Sequence, residues 1–123
     1  VAFDADDLEA ARLLQIVGLD RAQATADVGQ FDRAIALYEA NIAGRRAWLA
    51  RNPGENRRLR DLAVAIKSLG DVQVRGGRIR QACASYEDFK ALVAQLGKRG
   101  NLAEMDMDYT LKHLEQDERQ HCR

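Results

Sequence analysis

Two segments of the chain carry the same pattern: residues 29–43, GQFDRAIALYEANIA, and residues 77–91, GRIRQACASYEDFKA. A shift of 48 positions aligns their glycines, alanines and Tyr-Glu pairs. The aligned pairs are Gly29 with Gly77, Phe31 with Ile79, Ala34 with Ala82, Ala36 with Ala84, Tyr38 with Tyr86, Glu39 with Glu87 and Ala43 with Ala91. An internal repeat of this length predicts a helical array in which each unit packs on the next.

Each repeated position has a physical role in a helix-turn-helix unit. Glycine adopts positive φ readily, so Gly29 and Gly77 each close one helix and turn the chain. The apolar residue two places later, the alanine three further and the tyrosine four further lie along one face of the next helix. The small alanine lets a neighbouring helix approach closely. The pattern therefore predicts helix packing.

Composition agrees with one all-α domain over residues 1–123. The 123 residues are 46% hydrophobic, which suits a single modest core, and only one proline and 6% aromatic residues are present. Nineteen basic and nineteen acidic residues cancel, so no net field attracts nucleic acid or an anionic membrane. No apolar run approaches the roughly 20 residues that cross a bilayer, so we expect no membrane insertion of this segment.

Caps and breakers predict about five antiparallel helices. The first runs over about residues 5–28, the second begins after Gly29 and bends at Gly44, and the fourth covers about 78–96. The residues that mark the other ends are Asp4, Asp6 and Asp7 before the first helix, Asn52, Pro53 and Gly54 after the second, Asn52 or Asn56 capping the third, Gly76 and Gly77 ending it, and Asn101 with Glu104 opening the fifth. Five helices make two and a half repeats of a right-handed α-solenoid, with the last helix as a cap.

The second unit resembles the tetratricopeptide repeat family. The residues at the family spacing are Leu69, Gly70, Gly77, Ile79, Ala82 and Tyr86. Phe89 and Gln73 depart from the family pattern, Arg21-Ala22 stands where Leu-Gly would be, and the repeat is longer than the family's usual length of about 34. Residues 45–122 resemble, more narrowly, the long-period C-terminal repeat region of some bacterial receptor-type serine/threonine kinases, although no kinase motif is present.

The resemblance implies a protein-protein interaction scaffold that binds a peptide or a partner domain on its concave face. In the family the first helix of each unit lines that face, which assigns partner binding to Lys67, Asp71, Val74 and Arg75. The family's carboxylate-clamp members carry asparagine where Asp71 stands, so a free C-terminal carboxylate is an unsuitable ligand. The kinase resemblance implies a bacterial signalling protein whose repeat region lies on the extracytoplasmic, periplasmic side.

An alternative function is a structural spacer or a self-association module of a larger bacterial signalling protein. A basic stretch and an acidic last helix suggest an acidic partner, contact between copies through Arg57 and Arg58, or simply solvated helix faces. The basic stretch comprises Arg45, Arg46, Arg51, Arg57, Arg58 and Arg60, and the acidic residues are Glu104, Asp106, Asp108, Glu115, Asp117 and Glu118. The basic stretch contains a single aromatic residue, Trp48, which suits core packing better than stacking on RNA bases.

Catalytic or metal-binding chemistry is not indicated. The two histidines, His113 and His121, belong to no Ser/His/Asp, phosphate-loop or HExxH pattern, so we expect neither an enzyme nor a cofactor. Cys83 and Cys122 could join the histidines around zinc, but their spacing matches no known finger.

Cys83 and Cys122 are instead candidates for a disulfide. They stand near the start of the fourth helix and at the end of the fifth, and antiparallel neighbours bring such ends together. Counted from the turn near Arg99, the two positions differ by on the order of 10 Å along the helices. A disulfide tolerates Cα separations to about 7 Å, so residues 120–123 would have to unwind or fold back. An extracytoplasmic location would favour the bridge, whereas a reducing cytosol would leave two thiols.

Overall fold

The computed structural model describes residues 5–100 and 104–122, with side chains for residues 10–100 and 111–122. Within these ranges the secondary structure is entirely helical, without a strand. The helices are α1 (Ala5–Asp27), α2 (Phe31–Arg51), α3 (Asn56–Arg75), α4 (Ile79–Lys98) and α5 (Glu104–His121). Each helix packs against the next along the chain. The all-α fold class, built from helix-turn-helix units, is confirmed.

The two repeated glycines form equivalent turns. Gly29 has φ 83° and Gly77 has φ 76°. Around each, the glycine N–H and the following N–H donate back to two carbonyls of the preceding helix, which is the Schellman arrangement. The bonds are Gly29 to Ala26 (2.9 Å) and Gln30 to Thr25 (3.2 Å) in the first turn, and Gly77 to Val74 (3.0 Å) and Arg78 to Gln73 (2.7 Å) in the second. The sequence repeat is therefore also a repeat of backbone geometry.

The turn between α2 and α3 differs from the prediction. Neither Asn52 nor Asn56 caps α3, which is preceded by Glu55 without a side-chain cap bond. Asn52 instead ends α2, where its Nδ2 donates to the carbonyl of Trp48 at 3.0 Å. The helix continues through Gly44. The predicted caps at Asp4, Asp6 and Asp7, and at Asn101 with Glu104, lie outside the residues whose side chains are described.

One hydrophobic core extends from α1 to α5. Its largest fully buried side chains are Tyr38, Ile66, Val72, Tyr86, Phe89, Leu96 and Leu114. The two halves of the core differ in composition, although their backbones correspond. Phe89 and Val93 are buried in the second unit, and the positions 48 residues earlier hold Asn41 and the buried Arg45.

No described helix combines the length and the apolar character that crossing a membrane would require.

Substitution of Gly77 by valine should destabilise the fold by about 1 kcal/mol or more, because a β-branched residue resists positive φ. An added Cβ at Gly77 meets no atom within 4 Å, so the loss would come from the backbone. Gly44→Ala is the matched control. Its Cβ also meets open space, and inside a helix it should stabilise by about 0.5–1 kcal/mol. Urea unfolding of both variants measures the two free energies, and a neutral Gly77→Val would contradict this account of the turn.

Candidate functional site

Four charged side chains form a mixed-charge group on the first helices of the two units, which we call the A surface: Asp27 on α1, and Lys67, Asp71 and Arg75 on α3. The three α3 residues stand four apart and share one face of the helix, as predicted. Lys67 Nζ lies 2.8 Å from Asp71 Oδ2, and Arg75 Nη1 lies 3.2 Å from Asp27 Oδ1. The side chains of Asp71 and Arg75 remain 42% and 43% exposed, so a partner can reach both.

Asp71 is held in place from beneath by Tyr86 of α4. The tyrosine hydroxyl donates to Asp71 Oδ1 at 2.8 Å. Its ring lies against Gly70, where an added Cβ would come within 2.6 Å of Cε1. Burial, and then the negative charge of Asp71, raise the pKa of the Tyr86 hydroxyl well above its usual value. Tyr86 therefore stays protonated and remains a donor to the carboxylate.

The first unit contains the same contact with a neutral acceptor. Tyr38 of α2 donates its hydroxyl to Gln23 Oε1 of α1 at 2.9 Å. Gln23 stands 48 residues before Asp71, and Ala22 stands 48 before Gly70. The repeat pattern predicts only packing for the two tyrosines and does not predict their hydrogen bonds. The shift that aligns the tyrosines also aligns the two acceptors, and that alignment was the available signal.

Arg75 joins the two units. Besides Asp27, its guanidinium reaches the carbonyl of Ala26 at 3.4 Å and lies 5.5 Å from the centre of the Phe31 ring. Farther along α1, Arg12 Nε donates to Asp61 of α3 at 2.9 Å. The first helices of the two units are thus linked by two arginine-aspartate pairs, and the A surface includes one of them.

Three of the predicted partner-binding residues do not belong to the A surface. Val74 is half-buried and packs against the core. Arg58 is buried, with its guanidinium 4.7 Å from the centre of the Trp48 ring. Arg57 is exposed, but it lies at the other end of α3, about 27 Å from Arg75 at 1.5 Å per residue. The structure therefore separates residues that the family resemblance and the basic stretch had assigned to partner binding.

The basic stretch around residues 45–60 is divided between core and surface. Arg45 is only 3% exposed, and its Nε donates to Asn41 Oδ1 at 2.7 Å. Burial lowers the pKa of Arg45, while Asp61, 4.0 Å away, acts in the opposite direction. Arg46 is exposed and pairs with Asp88 of α4 at 3.6 Å. The arginines therefore do not form one exposed face for an acidic partner.

A disulfide joins Cys83 of α4 to Cys122, with an S–S distance of 2.09 Å and a Cα–Cα distance of 5.8 Å. The expectation that residues 120–123 unwind is wrong for residues 120 and 121, because α5 stays helical to His121. Lys90 provides a second link between these helices through Glu118 at 2.9 Å.

Zinc binding by the two cysteines is incompatible with this bridge, since both sulfurs are bonded to each other. Among the described residues, no group of three or more histidine, cysteine or acidic side chains is arranged to hold a metal ion.

No family model, curated protein or solved structure matches the chain. The resemblance to tetratricopeptide repeats therefore depends on the residues at the family spacing and on the internal repeat.

Removing the two tyrosine hydroxyls should have unequal effects. Tyr86→Phe loses a bond to a charged acceptor and should destabilise the fold by about 1.5–3 kcal/mol. Tyr38→Phe loses a bond to a neutral amide, and its expected loss is about 0.5–1.5 kcal/mol. Chemical denaturation of the wild type and both variants gives the comparison. Equal losses, or a larger loss for Tyr38→Phe, would show that the charge of Asp71 does not strengthen its bond.

The disulfide should persist in protein prepared under oxidising conditions. Intact-mass analysis after alkylation without reductant should show no modified cysteine, and two should appear after reduction. Cys83 and Cys122 are 39 residues apart, and a loop of this length corresponds to about 4 kcal/mol in the chain-entropy account. The double variant Cys83→Ala, Cys122→Ala should lose stability of that order in denaturation. Two alkylated cysteines in unreduced protein would refute the bridge.

Proposed function

We propose that this chain is a tetratricopeptide-like scaffold that binds a peptide or a partner domain through the A surface. The observation that supports this function best is that Asp71 and Arg75 are both held in place and exposed. Tyr86 and Lys67 position Asp71, and Asp27 positions Arg75. Side chains that are already ordered lose little conformational entropy on binding, so such a group favours recognition.

The charges of the A surface define the chemistry of the partner. Two cations and two anions alternate over a short distance, and this arrangement suits a segment that carries charges of both signs. A uniformly acidic peptide would meet Asp27 and Asp71, and a uniformly basic one would meet Lys67 and Arg75. Asp71 lies between two cations, so a free C-terminal carboxylate that approached them would also meet its negative charge.

Helix α5 takes the place of the first helix in a third, incomplete unit, and it continues the mixed-charge pattern. Glu115 and Arg119 stand 48 residues after Lys67 and Asp71, and both are exposed. The charge at each of the two positions is thus reversed between α3 and α5. An elongated ligand that crosses both helices would therefore meet cation and anion in opposite order on the two.

The Cys83–Cys122 disulfide supports an oxidising compartment for this scaffold, in keeping with the extracytoplasmic location that the kinase resemblance implies. The bridge ties α5 to α4, so the last helix of the array stays in register with the A surface.

A peptide-display library selected against the protein tests the proposal. Recovered peptides should contain residues of both charge signs, and fluorescence anisotropy should show that they bind the double variant Lys67→Glu, Arg75→Glu at least about tenfold more weakly, as expected when buried or paired charges are reversed. The matched control is Arg80→Glu, Lys98→Glu, which changes the net charge equally at two exposed positions of α4.

Circular dichroism of both double variants establishes that they keep their helices. Peptides that bind the A-surface variant and the control equally would remove the A surface from the proposed function. Selection of peptides with a single charge sign would contradict the inferred chemistry of the partner.

A further inference from the structure

An exposed apolar stripe runs along helix α1 and into the turn that follows it. We define it as Leu13, Leu14, Val17 and Ala24 of α1 together with Val28, which directly follows the helix. The side chains of Leu14, Val17 and Val28 are 73%, 62% and 73% exposed. The five stripe residues are separated by one, three, seven and four positions, which places them along one side of the helix. Exposed apolar residues that lie singly are ordinary, but several of them along one side of a helix favour an interaction surface.

The internal repeat shows how such a face is used within the chain. A shift of 48 residues places Leu14, Val17 and Ala24 on Leu62, Ala65 and Val72 of α3, which are all buried. Helix α3 packs on both α2 and α4, whereas α2 is the one helix against which α1 packs extensively in the described part of the chain. Three of the five stripe positions thus correspond to residues that are buried in the second unit, whereas Leu13 and Val28 correspond to the half-buried Asp61 and Gly76.

We propose that a second copy of this chain covers the apolar stripe, with the two α1 helices antiparallel across a two-fold axis. The axis passes between Asp20 and Arg21. Leu13 of each copy then lies opposite Val28 of the other, and Val17 lies opposite Ala24. At the contact between Val17 and Ala24 a larger side chain meets a smaller one, which allows the two helices to approach closely.

The charges within the apolar stripe are self-complementary in this arrangement. Asp20 and Arg21 are the polar residues at its centre, and both are exposed. The two-fold axis places Asp20 of each copy opposite Arg21 of the other, which makes two equivalent ion pairs. A parallel pairing of the same helices would instead place like charges side by side.

A head-to-tail contact between copies is less suitable, because the exposed side chains that the structure describes on α5, within residues 111–121, are polar. The exposed residues in the described part of α5 are Lys112, His113, Glu115, Gln116, Arg119 and Gln120. None of them offers an apolar surface to match the stripe on α1. The apolar stripe therefore pairs best with itself, as in the isologous interfaces of two-fold dimers.

Sedimentation equilibrium of the whole chain tests the dimer. The apolar stripe from Leu13 to Val28 is about 22 Å long, and a contact of this length is small, so we expect a dissociation constant on the order of 10 µM. Val17→Glu should weaken the dimer at least about tenfold, because it buries a charge in the apolar contact. Val64→Glu is the matched control at an exposed valine of α3 and should leave dimerisation unchanged.

Charge exchange tests the antiparallel register. Arg21→Asp places four carboxylates at the centre and should weaken the dimer by about tenfold. Adding Asp20→Arg restores one cation and one anion to each copy and should return the dissociation constant to within about threefold of the wild type. A wild-type chain that stays monomeric at about 0.1 mM would overturn the proposal. So would a dimer that is indifferent to Val17→Glu, or a double exchange no better than Arg21→Asp, in variants that circular dichroism shows to be folded.

Discussion

Tyr86 places its ring against Gly70 and its hydroxyl on Asp71, and Tyr38 makes the corresponding bond to Gln23 beside Ala22. A rigid ring between two helices needs a small residue opposite it. The distance between the two helices of each unit, which we call a hairpin, therefore depends on this contact. The hydroxyl bond also anchors Asp71, and Lys67 and Arg75 share a face of α3 with that residue. The α3 part of the A surface therefore depends on packing inside the second unit.

The two hairpins are stabilised by different means. In the second, Phe89 and Val93 fill the core, and the disulfide ties α4 to the end of α5. In the first, Asn41 and Arg45 occupy the matching positions, and the buried arginine depends on Asn41 and Asp61 for its polar contacts. A buried charge contributes little net stability and is destabilising when a partner is lost. The stability of the first hairpin is therefore more sensitive to loss of a single polar contact. The pairing of Arg12 with Asp61 affects that stability more than a surface ion pair would, because Asp61 also faces the buried Arg45.

Helix α1 takes part in both proposed interfaces. Asp27, the last residue of α1, belongs to the A surface, and Val28, which directly follows the helix, belongs to the apolar stripe. Adjacent residues would therefore contact the two proposed partners. A ligand that engages Arg75 competes for, or shares, its pairing with Asp27.

Most of the fold could be predicted from the sequence, because its signals are local or are repeated in register. Positive φ at Gly29 and Gly77 needs only glycine, and helical periodicity needs only the spacing of apolar residues. The site was only partly predictable. Lys67, Asp71 and Arg75 follow from spacing on one helix, but the burial of Arg45 and Arg58, and the acceptor role of Gln23, depend on which face of each helix its neighbour covers. A sequence alone predicts that an arginine is exposed. Only the packing of the helices around it decides whether its long apolar stem and its charged group are buried in the core. The disulfide likewise depends on how α4 and α5 pack against each other, which no local pattern records.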